Sequence, residues 1–293
     1  MVLNGGILLI TYVLTPKIPS FYREKHYDAV FFGTSQSYCS FDPLIFDEYH
    51  LKTYNRGRQQ QTMNYTYYYI KDALDVCDID VVVLETFGMC YEEDDTGFIS
   101  EGVRDSSLND MRMSETKIEA IRECVPEEMQ ISYFFPLDKY HSRWEELDWN
   151  GFYNSALKPY YEEADRGYKR WTESEVCVDD YWSIAFSEIR RDVYAGNIKY
   201  LDKIYELCQK KGAKLILVKA PLPCYDRVIE EMNTVSDWAE EHDIELINYM
   251  RLQDVLELNF YTDSLDGGTH LNESGAGKVS KHLAAYLKEN YFE

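Results

Sequence analysis

The chain has no C-x-x-C pair, no glycine-rich phosphate loop, no excess of basic residues and no apolar run long enough to span a membrane. Each absence removes a class of function. Seven cysteines, Cys39, Cys77, Cys90, Cys124, Cys177, Cys208 and Cys224, stand apart from one another, which argues against a zinc site. An odd number cannot all pair within one chain, so most read as buried thiols, and the redox compartment stays open. With 52 acidic against 30 basic residues and a formal net charge of −22, the summed field repels phosphate backbones and anionic lipid, which excludes nucleic acid as a partner. The acidic runs at 92–95 and 240–243 lack metal-ligand spacing and read as solvated loops and helix faces. No metal or cofactor is implied. The apolar stretch at 2–14 falls short of the ~20 residues a spanning helix needs, and no basic segment precedes it. Residues 1–20 are therefore read as the remnant of a membrane anchor, ahead of a core strand or an interfacial segment.

A chain of 293 residues that is 45% hydrophobic is long and apolar enough to bury a substantial core. Its 26 tyrosines can stack on sugars but are equally ordinary core material. There is no internal repeat and no low-complexity tract. Short β-type runs at 29–32, 53–55, 81–85, 215–219 and 244–249 alternate with helical patterns at 63–73, 197–211, 226–241 and 273–291. That alternation predicts a parallel sheet covered by helices on both faces. The runs at 81–84 and 215–218 are continuously apolar and should be the central strands. Gly212 marks the C-cap of the second helix. The rhythm breaks between about 90 and 195, a stretch rich in Glu, Tyr and Trp, which reads as a largely helical insertion in a single domain spanning 21–293.

The most informative segment runs from Ala29 through Phe32 into Gly33-Thr34-Ser35, an apolar strand that stops at a glycine and two hydroxyl residues. It places Ser35 at the carboxyl edge of the sheet, where open α/β folds bind ligands. A helix beginning there would add free N–H groups able to stabilise an oxyanion. Ser35 or Ser37 could equally serve as a helix cap, and Gly-x-Ser alone matches often by chance. The second feature is the loop holding Asp263, Asp266, Gly267, Gly268 and His270, just before the last helix. An aspartate near His270 could hold the imidazole in the tautomer that accepts a serine proton. Within the insertion, Arg143 and Trp144 follow His141-Ser142, with a reading as an anion and sugar contact set against simple packing of Trp144.

Taken together these residues resemble the SGNH/GDSL hydrolases, through Gly33-Thr34-Ser35, Gly57 after Tyr54-Asn55-Arg56, and Asp266 with His270. The run Thr269-His270-Leu271-Asn272, followed by Gly275-Ala276, is similar to the membrane-anchored branch that works with integral membrane acyltransferases, such as teichoic-acid D-alanylation and alginate O-acetylation proteins. The resemblance implies a three-layer α/β/α, flavodoxin-like fold and a serine esterase or O-acyltransferase acting on acylated carbohydrate outside the cytoplasm. It implies Ser35 as nucleophile, His270 as base and Asp266 as acid, with Asp263 the alternative acid, because the family's aspartate position holds Gly267. The family's third-block Asn is replaced by Glu85-Thr86-Phe87-Gly88. Oxyanion donors would then be the N–H groups of Ser35 and Gly57, with a side-chain amide from the run 59–61, of which Gln61 is favoured. Two other readings use the same sheet: a catalytically weakened glycan-binding or acyltransferase-partner protein, and a nucleotide binder, which the missing phosphate loop disfavours.

Overall fold

The computed structural model describes residues 18–91, 100–134, 160–161, 163–174, 187–222, 226–266 and 268–292. Seven strands form among them: β1 (Ile18–Pro19), β2 (His26–Phe32), β3 (Thr53–Asn55), β4 (Asp78–Glu85), β5 (Tyr160–Tyr161), β6 (Lys214–Lys219) and β7 (Glu245–Asn248). Five of them make one wholly parallel sheet in the order β3-β2-β4-β6-β7. Numbered by their own succession that order is 2-1-3-4-5, the flavodoxin arrangement, so the expected three-layer α/β/α fold is the one observed. The five expected runs are the five strands of this sheet. Some begin earlier than hydrophobicity alone indicates, because ladder pairing continues through polar residues such as His26 opposite Asp78.

Parallel neighbours need a crossover between them, and helices supply it. On one face lie α1 (Ser35–Ser40), α2 (Pro43–Asp47) and α9 (Glu273–Tyr291), with α9 packed on both others. On the other lie α3 (Met63–Val76), α7 (Ala195–Lys211) and α8 (Asp226–Glu241). There α7 packs on α3, and Tyr205 of α7 meets Trp238 of α8 edge to face. Gly212 ends α7 in the left-handed conformation at φ 76°, as its position predicts. Between the layers, Val82, Val83 and Leu84 of β4 and Ile216, Leu217 and Val218 of β6 are fully buried. Burial on both faces explains why these strands read as unbroken apolar runs.

The insertion contributes α4 (Glu101–Leu108), α5 (Glu115–Cys124) and α6 (Glu127–Phe134). It also holds β5, which pairs in parallel with β1. A two-residue strand carries no periodicity and escapes any reading of the sequence. Residues 163–174 then return across the sheet's carboxyl edge: Lys169 N–H donates to Tyr38 O at 2.9 Å, and Trp171 O accepts from Glu273 N–H at 2.8 Å. Among the described residues no helix is long and apolar enough to cross a membrane. Most of the anchor reading at 1–20, and the His141, Arg143 and Trp144 cluster, lie outside the described residues. So do Cys177 and Cys224, while Cys39, Cys77, Cys90, Cys124 and Cys208 are buried free thiols.

Candidate active site

Strand β2 delivers the serine. Gly33 has φ 132°, and a Cβ there would stand 2.7 Å from Glu85 O, so the turn requires glycine. Thr34 follows as N-cap of α1, its hydroxyl accepting from Gln36 N–H at 3.2 Å. Ser35 is the first helical residue, partly exposed, where its own N–H has no intrahelical carbonyl to meet. The same sheet edge receives the other end of the chain. Ser264 and Leu271 pair as an antiparallel bridge, Leu265 N–H donates to His270 O at 2.9 Å, and the intervening loop projects His270 toward α1.

His270 Nε2 lies 2.8 Å from Ser35 Oγ, although 235 residues separate the two in sequence. His270 Nδ1 lies 2.7 Å from Asp266 Oδ2, and the other oxygen of that carboxylate accepts His270 N–H at 2.8 Å. Asp266 therefore holds both the ring and the backbone of the histidine. With Nδ1–H directed at a carboxylate, Nε2 is left as the acceptor for a serine proton. The bond from Gln36 Nε2 to Thr269 O, 2.6 Å, ties the serine helix directly to the histidine loop.

Asp263, the alternative acid, is committed elsewhere. It is buried, accepts from Asn259 N–H at 2.8 Å and Ser274 Oγ at 2.7 Å, and pairs with Lys278 Nζ at 2.7 Å. Burial raises its pKa, but these hydrogen bonds and the Lys278 charge outweigh that and hold the carboxyl below its ordinary value. Asp263 thus clamps the loop to the start of α9. Asn272 reinforces the clamp: as N-cap it accepts from Ser274 and Gly275 N–H, while its amide donates to Thr262 O.

The expected oxyanion donors are not all brought together. Gln61 is fully buried with its amide turned away, Nε2 donating to Ser107 Oγ and Oε1 accepting from Thr66 Oγ1. Gly57 does reach the serine turn, since a Cβ there would stand 2.8 Å from Ser37 Cβ and 2.9 Å from Thr34 O. Its N–H, however, donates to Asn55 Oδ1 at 3.0 Å. The Ser35 N–H belongs to the first helical residue of α1, next to the N-cap Thr34. Asn55 is the residue the sequence reading passed over. Its amide grips α1 through Ser37 O and Phe41 O, and its oxygen also accepts from Ser37 Oγ. In the sequence Asn55 is marked only by its place at the end of a short strand, which does not separate a buried amide from a solvated one.

Tyr38 also bears on the serine. Burial foremost pushes its hydroxyl up to about 12, against which a hydrogen bond with Ser35 acts in the opposite direction. Beside it opens a cleft of about 590 Å³ lined by Tyr38, Gly57, Gln59, Gln60, Tyr168 and Lys169, among others. Its walls come from the sheet-edge loop and from residues of the insertion, while Ser35 and His270 are not part of its lining. A second cluster, His26, Asp28 and Asp80, lies toward the amino ends of β2 and β4, away from this edge, and is partly or fully exposed.

No protein-family model matches the chain, and no curated protein matches it significantly. Among solved structures, a Bacteroides fragilis protein described as a "putative acylhydrolase" superposes with a TM-score of 0.43 and 11% identity, covering 95% of this chain and 92% of its own. A likeness that loose says nothing of the chemistry at Ser35.

Proposed function

We propose that the chain is a serine esterase or O-acyltransferase of the SGNH type, with Ser35 as nucleophile, His270 as general base and Asp266 as the acid that orients it. The observation that carries this reading is the continuous relay from Asp266 Oδ2 through the His270 ring to Ser35 Oγ, at 2.7 and 2.8 Å. As Ser35 Oγ attacks an ester carbonyl, its proton passes to His270 Nε2. Collapse of the tetrahedral adduct expels the alcohol, which takes that proton from His270, and leaves an acyl-serine. Water or a sugar hydroxyl, deprotonated in turn by His270, then accepts the acyl group and restores the serine. The Ser35 N–H at the start of α1 supplies one oxyanion donor.

Acylated carbohydrate as substrate, work at the cell surface and an integral membrane acyltransferase as partner are the finer parts of the proposal. They are supported by the similarity of the Thr269 to Ala276 pattern to the anchored acyl-transfer branch. Two observations favour a second reading, a weakened enzyme that serves mainly as a binding partner: Gly57 N–H is engaged by Asn55, and the run Glu85 to Gly88 carries no asparagine where the resemblance calls for one. A fluorophosphonate probe with an acetyl-ester assay separates the two. The esterase reading expects labelling and turnover that vanish in Ser35→Ala and fall by about a thousandfold or more in His270→Ala. Wild-type protein that is folded yet neither labels nor turns over would overturn it in favour of the binding reading.

A further inference from the structure

Two adjacent interior strands of the sheet, β4 and β6, end in a pair of charges that the triad does not use. Glu85 closes β4 and Lys219 closes β6, and both side chains are fully buried, with Lys219 Nζ 3.3 Å from Glu85 Oε1. Each polar atom has a definite destination. Oε1 also accepts from Phe87 N–H at 3.1 Å, and Lys219 Nζ donates to Ala220 O at 3.0 Å. Oε2 takes the Thr34 hydroxyl at 3.3 Å. Thr34 is the residue before Ser35, and by donating to Glu85 its hydroxyl is left to accept from Gln36 N–H at 3.2 Å. Glu85 meets Gly33 as well, since its O and Cβ lie 2.7 and 2.9 Å from where a glycine Cβ would be. One residue thus bears on both positions immediately preceding the serine.

Stability gives little reason to keep such a pair. Two buried charges cost much of their attraction in lost hydration, and apolar residues of similar volume often serve as well. What an apolar pair cannot do is accept the Thr34 hydroxyl and so fix the rotamer that caps α1. We propose that the buried Glu85–Lys219 pair is a positioning device for the nucleophile turn, holding Thr34 as cap and thereby Ser35 in line with His270. Glu85 and Lys219 are positioning residues and touch no reacting atom. The kinetic part of this inference rests on the esterase reading; the conformational part does not.

The test compares Glu85→Gln, Glu85→Leu/Lys219→Met, Thr34→Ser, Thr34→Val and Thr34→Val/Glu85→Gln with wild type. Circular dichroism melts check folding. Amide hydrogen exchange at Gln36 and Ser37, the rate of fluorophosphonate labelling, and kcat and KM on p-nitrophenyl acetate are the readouts. Exchange at Gln36 is expected to quicken about tenfold or more in every variant except Thr34→Ser, while labelling and kcat drop by about ten- to a hundredfold with KM unchanged. Thr34→Ser, which keeps the hydroxyl, should match wild type. Thr34→Val/Glu85→Gln should be no worse than the poorer single variant, because both remove one interaction. A folded Glu85→Leu/Lys219→Met protein with wild-type Gln36 exchange overturns the proposal. If that variant does not fold, equal exchange in Thr34→Val and Thr34→Ser overturns it instead. Absence of Ser35-dependent labelling in wild type would defeat the esterase reading alone, and hydrogen exchange would still decide the positioning role.

Discussion

Asp263 and Asp266 sit three residues apart on one loop, yet their surroundings give them opposite duties. Asp263 is buried among donors, whereas the side chain of Asp266 is 40% exposed and faces the histidine ring. Asp266→Asn is expected to leave the melting temperature nearly unchanged and to cut esterase kcat by on the order of 10²–10³, less than for a fully buried triad acid because water screens it. Asp263→Asn should do the reverse first, costing about 1–3 kcal/mol of stability by removing a buried acceptor. The pH dependence follows from the depressed pKa of Asp263. Its ionised form is favoured by folding, so its contribution is fully present above the ordinary carboxylate pKa of about 3.9 and is lost as pH falls through the lower folded value. Urea melts of wild type and Asp263→Asn should therefore differ most near neutral pH and converge in acid. A gap that persists unchanged at the lowest pH would contradict the ionic role of Asp263. The sequence offered both aspartates and could rank them only by spacing. Asn55, Glu85 and Lys219 were harder to read, since a polar letter ending a strand looks the same whether its side chain meets water or a buried partner.

At the scale of elements the sequence was far more readable, for a physical reason. Strands buried on both faces and helices buried on one leave patterns many residues long, as at 81–84, 215–218 and 273–291. The two-residue pair β1–β5 leaves none. The turn from β2 into α1 is the element on which the proposed function depends, and it was legible because glycine interrupts an apolar strand just before two hydroxyl residues. Its geometry predicts that Gly33→Ala is severe. At φ 132° an L residue is strained by about 1–3 kcal/mol, and its Cβ would press on the backbone of Glu85, which is locked in the sheet. The melting temperature is expected to fall and Ser35 labelling to be lost, even where far-UV circular dichroism shows the sheet intact. Wild-type labelling by Gly33→Ala would mean that the turn can relax without moving the serine.

For the whole molecule, the excess of 22 negative charges acts on whatever approaches the carboxyl edge of the sheet. Charges beyond about 8 Å are screened at physiological salt, so the far side of the protein matters only when salt is low. Near the site the balance is closer, since Lys169 lies beside Tyr38 while Asp266 flanks His270. The long-range field therefore predicts a difference between substrates rather than a uniform effect. A neutral acetyl ester should show kcat/KM independent of ionic strength. An anionic ester of similar reactivity should be slow at about 10 mM salt and gain several-fold by about 300 mM, as screening removes its repulsion. Should the anionic ester be the faster substrate at low salt and lose ground as salt rises, the local field of Lys169 would govern approach, and Lys169→Met should abolish that preference.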